Sequence, residues 1–516
     1  MRIIVVSILA AVLVLLNGCK EEDIVIETSS VTVIAEENAS EEGENGFFTF
    51  MLAERLSTDL IVDFVVAGSA TNGEDYEMVS NTVTIAAGLL TEKIKITPVL
   101  DTDEEGDEEI SLTILGTNNE NVSVGSRSSA AIQLIDGPSL QDMIRDETRP
   151  FMANRNATEA TVSLFYNLTQ IAEDGFIVGQ HDAFASFYAD NGGVSDIRKG
   201  TGSDPGILGS DFMFITDDLN DETTGNWFYQ QELRIKRDAM EAYQKGMVNV
   251  FVWHMREPYE GKYFYTGEMT EFQKQNAFIS ILPGGENHEY YKGKLRKVAE
   301  VATSNIGVDG EPIPIIFRPF HEFDGDWFWW GADYCTPEQF IQLWRFTVDY
   351  LTNDLGVNNL LFAFSPDNKF NSDLEYLERY PGDNYVDILA MDNYGDFNNR
   401  GQAGIFDANR KLKIITDLAT AKGKIAAMSE SCFFITPGVV EPDPDFFSNS
   451  LMTALTNDDV KLSFFMFWSN DAEKFCTPPP GEVGFDDFLQ FINEPASMLA
   501  DDIPEMYRIT IDDSGA

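Results

Sequence analysis

Cysteine is scarce in this chain, with four residues in 516, which excludes a fold stapled together by disulfides. Basic residues are also few: 35 Lys+Arg stand against 86 Asp+Glu, a formal net charge of −51. A surface that acidic repels phosphate backbones, so no nucleic-acid partner is expected, whereas a neutral polysaccharide is compatible with it. No apolar run near the N-terminus is long enough to cross a bilayer. Residues 3–16, interrupted only by Ser7, fall short of the ~20 that a spanning helix needs. What the chain has in quantity is apolar material, 43% hydrophobic and 12% aromatic, which supports sizeable cores and excludes wholesale disorder. At roughly 150 residues per domain the length suggests about three domains, or fewer if one is a large barrel of ~250 residues or more.

Arg2, the short apolar core and the small residues after it read as a secretory signal over residues 1–18. The segment ends Leu16-Asn17-Gly18-Cys19, which resembles a bacterial lipobox, whose cysteine becomes the lipidated first residue of the mature chain. The alternative is an ordinary signal peptide followed by a chance cysteine. Lys20-Glu21-Glu22-Asp23 resembles the acidic tag that directs some bacterial lipoproteins to the outer surface. The reading is a protein held at the outer membrane or cell surface by acyl chains on Cys19 and otherwise soluble. A monomer is expected.

Between Lys20 and Asp136 lie 25 acidic and five basic residues and no Trp, His or Cys. Alternating apolar runs recur at 31–34, 47–52, 60–66, 83–85, 93–96, 110–115 and 131–135. This period-2 pattern, broken by polar turns, predicts a small all-β sandwich over 24–137, followed by a linker over 138–150. Gly73-Glu74-Asp75-Tyr76 and the acidic run 101–109 resemble the Calx-beta family. In that family carboxylates at one end of the sandwich bind Ca²⁺, and the resemblance makes Asp101, Asp103 and Glu105 candidate structural-calcium ligands. Carboxylate oxygens are the donors that this hard cation takes. The alternative is a solvated acidic rim on a surface spacer. No aromatic platform marks this segment as a carbohydrate-binding module.

From 151 to 508 apolar runs alternate with helix-length segments, the signature of βα units. The runs are 176–181, 212–216, 248–254, 315–322, 360–367, 386–394, 424–430 and 462–470. Segments 337–351 and 408–421 predict helices, the former from apolar residues at three- and four-residue spacing. Eight such units predict an α/β fold, a (β/α)8 barrel. An open doubly wound sheet is the alternative, but no Gly-rich phosphate loop follows the first strand. Chemistry in such barrels sits at the C-terminal strand ends. Three of the chain's four histidines fall there, His181, His254 and His321, together with Glu322, Asp367, Asp392, Tyr394, Glu430 and Trp468. Any one of them alone would read as a helix cap or rim packing; so many at one rim point to a site. Carboxylates ending strands 4 and 7 suit cleavage of a glycosidic bond. A pair ~5–5.5 Å apart gives a nucleophile and an acid/base with retention, and a pair ~6.5–9.5 Å apart gives inversion.

Arg318-Pro319-Phe320-His321-Glu322, followed by Asp326-Trp327-Phe328-Trp329-Trp330-Gly331, resembles the strand-4 motif of glycoside hydrolase family 26. Phe251-Val252-Trp253-His254, Met391-Asp392-Asn393-Tyr394 and Met428-Ser429-Glu430 resemble its motifs at strands 3, 6 and 7, in order and with barrel spacing. Over residues 155–508 this resemblance implies a retaining hydrolase that needs no cofactor. It points chiefly to an endo-β-1,4-mannanase acting on mannan, glucomannan or galactomannan, with xylan and mixed-linkage β-glucan as alternative substrates. The resemblance makes Glu322 the acid/base and Glu430 the nucleophile. An acid/base needs a raised pKa, which apolar Phe320, Phe323 and Trp327 and the charge of Glu430 would supply. Tyr394 and Arg318 would favour an ionised Glu430, and Asp392 would orient Arg318. His254 and His321 would contact the sugar before the scissile bond. Trp327 and Trp468, with Trp329 or Trp330 further along, would offer flat faces to pyranose rings.

Two other classes stay open. A non-catalytic surface glycan-binding protein has no use for the Glu322–Glu430 pair, and a Ca²⁺-dependent adhesion protein leaves the aromatic rim without a role. Glu257 reads as a loop salt bridge, and His181 with Asp182 as a rim hydrogen bond rather than a metal pair. If any cysteines pair, Cys432 and Cys476 do, because the strand-7 and strand-8 loops adjoin. Free buried thiols are the alternative.

Overall fold

The computed structural model describes residues 29–510, apart from 42, 101–105, 138 and 399. Cys19 and the candidate calcium ligands Asp101, Asp103 and Glu105 lie outside the described residues. By internal contacts the chain divides into two units, Met1–Leu140 and Gln141–Ala516. No helix among the described residues is long and apolar enough to cross a membrane.

The first unit is built of β1 (Ser29–Glu37), β2 (Ala39–Ser40), β3 (Gly46–Leu52), β4 (Leu60–Gly68), β5 (Thr82–Ile85), β6 (Thr91–Ile96), β7 (Glu108–Thr117), β8 (Val122–Val124) and β9 (Ser129–Ile135). One sheet runs β6-β3-β1-β8 and the other β2-β9-β7-β4-β5. Alternation drives the burial: in β4, Leu60, Val62 and Phe64 are buried while Ile61, Asp63 and Val65 face solvent. The inner faces meet in one core that joins Val31, Val33, Phe48 and Phe50 to Leu60, Phe64, Ile110 and Leu112. Each alternating run of the sequence is a strand. β2 and β8, at two and three residues, are too short for alternation to announce them.

In the second unit eight parallel strands close into a barrel: β10 (Phe176–His181), β11 (Ile207–Asp211), β12 (Val248–Val252), β13 (Ile315–Arg318), β14 (Leu360–Phe364), β15 (Ile388–Asp392), β16 (Ile425–Ser431) and β17 (Phe464–Phe467). They pair in chain order, and β10 pairs with both β17 and β11 to close the ring. A short β18 (Ser497–Met498) adds to β10. The helices are α1 (Leu140–Thr148), α2 (Glu159–Asp174), α3 (Asp196–Thr201), α4 (Trp227–Gln244), α5 (Glu271–Ile281), α6 (His288–Ala302), α7 (Pro337–Asp349), α8 (Asp373–Tyr376), α9 (Gly401–Lys422), α10 (Met452–Thr456) and α11 (Phe485–Ile492). α7 starts where a capping box between Thr336 and Gln339 and a proline in the first turn meet.

Side chains alternate between two cores. Ile177, Ile207, Val248, Val250, Ile316, Leu361, Ala363, Ile388, Ala390, Ile425, Ala427, Phe464 and Met466 pack together inside the barrel. Val162, Phe165 and Leu168 of α2 join them and close the N-terminal end. The residues between, such as Val178, Phe317, Phe362, Leu389, Met428 and Phe465, face the outer helices.

Three expectations need correction. The second strand is β11, not residues 212–216. β11 hides because it is short and contains Gly209, where an added Cβ would lie 2.7 Å from His181 Nδ1 and 2.8 Å from its Cα. Phe212, in the run that looked like the strand, instead packs outside against Phe251 and Phe317, at ring distances of 4.7 and 5.4 Å. The fourth strand stops at Arg318, because Pro319 has no N–H to continue the ladder. The stretch read as a linker carries α1, whose Ile144 and Thr148 line a groove with Phe165 and Thr169 of α2.

Candidate active site

The inward parity of the strands, carried toward their C-terminal ends, builds most of the site. Counting by twos from the buried interior residues reaches His181, Asp211, His254, Arg318, Ser365, Asp392 and Trp468. Glu430 breaks the count, since Ile425 and Ala427 predict Ser429. Between β15 and β16 the register shifts so that Met391 pairs with Met428 but Asp392 with Glu430. One extra residue in β16 turns Glu430 into the mouth, the re-aiming that bulges perform beside active sites.

Arg318 lies fully buried beneath this mouth. Its Nη2 donates to Glu430 Oε2, and its Nη1 donates to Asp392 Oδ2 and, at 3.2 Å, to Ser365 Oγ. Ser429 Oγ donates to the other Asp392 oxygen at 2.8 Å. The Tyr394 hydroxyl donates to Glu430 Oε1 at 2.7 Å, so each oxygen of Glu430 has its own donor. Burial acts to lower the guanidinium pKa, but the charges of Asp392 and Glu430 outweigh it and hold it above its ordinary value. Burial, then the charges of Glu430 and Glu322, keep the Tyr394 phenol protonated, and so a donor. One ligand atom each of His321, Asp392 and Glu430 lie within 4.8 Å of one another, a spacing metal ligands share. The positive charge between these carboxylates is Arg318.

Glu322 lies four residues past the end of β13. Phe320 and Glu322 adopt left-handed backbone at φ 52° and 53°, a strain of about 1–3 kcal/mol each. The Glu322 N–H holds this turn to Ser365 O at 2.9 Å. The residue is 8% exposed, and its carboxylate accepts from Trp327 Nε1 at 2.6 Å. Burial first, then the charges of Glu430, Asp392 and Asp367, raise its pKa well above an ordinary carboxyl, with the Trp327 bond opposing. Two glutamates in one cleft thus meet contrasting surroundings, the pattern by which acid and nucleophile are separated.

Imidazoles and aromatics form the adjoining wall. Asp211 accepts from His254 Nδ1 at 2.7 Å and from the backbone N–H groups of His254 and Met213 at 3.1 and 2.8 Å. An ionised carboxylate can only accept, so the proton of this bond sits on His254 Nδ1. His321 meets His254 edge to face at 4.5 Å. Both His321 ring nitrogens are buried without a hydrogen-bond partner among the described residues, and burial keeps the ring neutral. His181, likewise lowered by burial, lies flat on Trp468 at 4.1 Å and 11°.

The sequence profile of Glycosyl hydrolase family 26 matches residues 153–461. The chain belongs to this family. A mannan endo-1,4-beta-mannosidase of Bifidobacterium adolescentis is 31% identical over 359 residues, 67% of this chain and 35% of that protein. Mannan endo-1,4-beta-mannosidase A and B of Caldalkalibacillus mannanilyticus is 30% identical over 220 residues, 38% of this chain and 37% of that protein. The chain therefore spans little more than a third of the length of these curated relatives. Among solved structures, GH26C from Muricauda sp. MAR_2010_75 is 60% identical with a TM-score of 0.70, covering 71% of this chain and 98% of its own. The GH26 beta-mannanase BoMan26A from Bacteroides ovatus is 30% identical with a TM-score of 0.60, over 68% of this chain and 98% of its own. Retention is general in family 26, and its mannanases need no cofactor for catalysis.

The family-26 site departs from the sequence reading in several places. Phe320 and Phe323 do not enclose Glu322; their rings pack outward on Phe340, at 6.0 and 4.5 Å. Trp329 and Trp330 are fully buried, donating to Met255 O and His321 O at 2.9 and 2.8 Å, so neither is a sugar platform. Trp327 and Trp468 stay partly exposed. Glu257 forms no ion pair among the described residues, and its carboxylate accepts the N–H groups of Tyr259, Glu260 and Lys262 at 2.8, 3.1 and 3.3 Å. His181 Nε2 lies 3.7 Å from Asp182, beyond a hydrogen bond, and its contact is Trp468. Cys432 and Cys476 are bonded, and Cys335 is buried and free. Sequence reasoning missed Asp211 because it misplaced β11, and it missed Ser365 and Ser429, whose small hydroxyls carry no distinctive signal.

A raised Glu322 pKa means the folded protein keeps this proton where an unfolded chain, with a carboxyl near 4.5, has lost it. Stability then falls as pH climbs from about 4.5 to the raised value, and the full penalty applies above it. Glu322→Gln, which cannot ionise, is expected to melt with the wild type at pH 4 and above it at pH 8. Coincident melting at both pH values would contradict the raised pKa.

Proposed function

We propose that this family-26 hydrolase cuts β-1,4-mannosidic linkages in mannan, glucomannan or galactomannan by retaining double displacement. The observation that carries the reading is the pair of glutamates in contrasting surroundings, Glu322 buried and proton-holding, and Glu430 clamped by Arg318 and Tyr394. Glu430 attacks the anomeric carbon while Glu322 gives its proton to the departing glycosidic oxygen, leaving a glycosyl ester on Glu430. Glu322, now ionised, takes a proton from water as that water attacks the same carbon. The ester bond breaks, and both carboxyls return to their starting states. The Nε2 of His254 and the nitrogens of neutral His321 are suited to hydroxyls of the sugar before the scissile bond, and Trp468, backed by His181, to its apolar face. The curated mannanase relatives support a mannose-configured substrate.

The catalytic pair and the substrate are tested together on glucomannan, galactomannan, xylan, mixed-linkage glucan and carboxymethylcellulose at equal mass. The mannans should be preferred. Glu430→Ala should remove nearly all turnover, and Glu322→Ala should cost roughly 10²–10⁴-fold on polymer but much less on aryl glycosides with good leaving groups. Preference for xylan or mixed-linkage glucan would refute the specificity, and near wild-type turnover of polymer by either variant would refute the roles.

We also propose that the protein is displayed at the outer cell surface through lipid on Cys19. The lipobox-like sequence supports this, and so does the Cys432–Cys476 disulfide, a bond favoured outside the reducing cytosol. Cys19→Ala is expected to move the protein from membrane to soluble fractions; a variant still bound to membranes would sink the anchor.

A structural calcium on Asp101, Asp103 and Glu105 is the reading supported by the Calx-beta resemblance. Chelation should then lower the melting temperature of the first unit and leave hydrolysis intact. No change in melting would favour a plain spacer.

A further inference from the structure

The strand-7 loop leaves the barrel directly after Glu430. Cys432, two residues on, is bonded to Cys476 in the loop after β17. Beyond that bond the two loops run antiparallel, with Ile435 and Phe475 exchanging backbone hydrogen bonds of 2.9 and 3.1 Å. Phe433 is buried against Phe446, with ring centroids 5.2 Å apart. Phe434, between two buried neighbours, is left half-buried. Its ring lies parallel to that of Tyr394 at 9° and 6.1 Å, and the Lys474 ammonium sits 4.1 Å from its centroid. The backbone N–H of Lys474 is itself held by the Asp471 carboxylate at 2.9 Å.

Resting on the catalytic reading above, we infer that Phe434, fixed by the Cys432–Cys476 bond and Lys474, is a positioning residue that aims the Tyr394 hydroxyl at Glu430. Tyr394 and Arg318 are the two side chains that donate to Glu430 among the described residues. Arg318 is immobilised by its second carboxylate, whereas Tyr394 sits at the partly exposed mouth. A phenol on a rotatable side chain keeps a 2.7 Å bond only while its ring is held in plane, and Phe434 is the aromatic ring stacked parallel to it. The disulfide ties down a loop whose far part, at Val439 and Val440, is exposed. The charged and titratable groups around Glu430 are Arg318, Tyr394, Asp392, Glu322, His321, His181 and Tyr265. Of these, Tyr394 is the one stacked on Phe434.

The test is a mutant cycle on the full chain with glucomannan. Phe434→Leu should lower kcat about tenfold with KM changed less than twofold. The acidic limb of kcat/KM should move to higher pH, because the ionised nucleophile loses a donor. Tyr394→Phe should shift the limb at least as far, and the double variant should add nothing to it. Phe434→Tyr, which keeps the ring, should behave as wild type. Cys432→Ser with Cys476→Ser, and wild type treated with a reductant, should reproduce the Phe434→Leu limb. A wild-type limb and kcat in Phe434→Leu, or additive losses in the double variant, would overturn the inference. A wild type inert on every glycan would instead remove the catalytic reading on which it rests.

Discussion

Everything at the mouth of this barrel depends on one buried cation. Arg318 has no exposure to solvent, and its guanidinium ties Ser365, just past β14, Asp392 on β15 and Glu430 on β16 to the end of β13. Taking a guanidinium out of water is costly, and two carboxylates and a hydroxyl bonded to its Nη atoms offset that cost, while its Nε has no hydrogen-bond partner among the described residues. Removing one partner of such a group strands the others as buried charges, typically at about 3–5 kcal/mol. Nucleophile position, Asp392 orientation and the stability of the inner barrel are therefore one electrostatic unit.

Around that unit the chain, so acidic overall, sets a wall of imidazoles and aromatic rings. His181 and His321 are held neutral by burial, and each packs against another ring, Trp468 and His254 respectively. Neutral imidazoles offer nitrogen donors and acceptors and the rings offer apolar faces, which suits a hydroxylated, uncharged ligand. Asp211 adds the one strong anchor, setting which His254 nitrogen faces the cleft.

Two local irregularities place the two glutamates. A single extra residue in β16 turns Glu430 inward, and a pair of left-handed residues swings Glu322 back over the barrel after β13. Neither distortion would persist alone. The first is held where Asp392 and Ser429 bond each other, and the second where the Glu322 N–H reaches Ser365 O and its carboxyl meets Trp327. The strain sits at the residues proposed to do chemistry, and the regular strands around them supply the rigidity that sustains it.

What the sequence determined by itself was whatever depends on neighbours along the chain. Period-2 alternation predicted the sandwich strands, and apolar runs ending in polar residues predicted seven of the eight barrel strands and brought His181, His254, Arg318, Asp392 and Trp468 to one rim. The ordered motifs at 318–331, 391–394 and 428–430 pointed to the family. Tertiary structure decided the rest. β11, with only Ile207 and Leu208 apolar before Gly209, is a strand because two others flank it, and Asp211 came with it. Trp329 and Trp330 lie in the core rather than on the cleft because the folded loop lets their indole N–H groups reach Met255 O and His321 O. The inward turn of Glu430 and the raised pKa of Glu322 belong to the same class. A bulge is defined by the strand it is paired with, and a pKa by the charges and burial that distant segments bring, and neither is written in the order of residues on one strand.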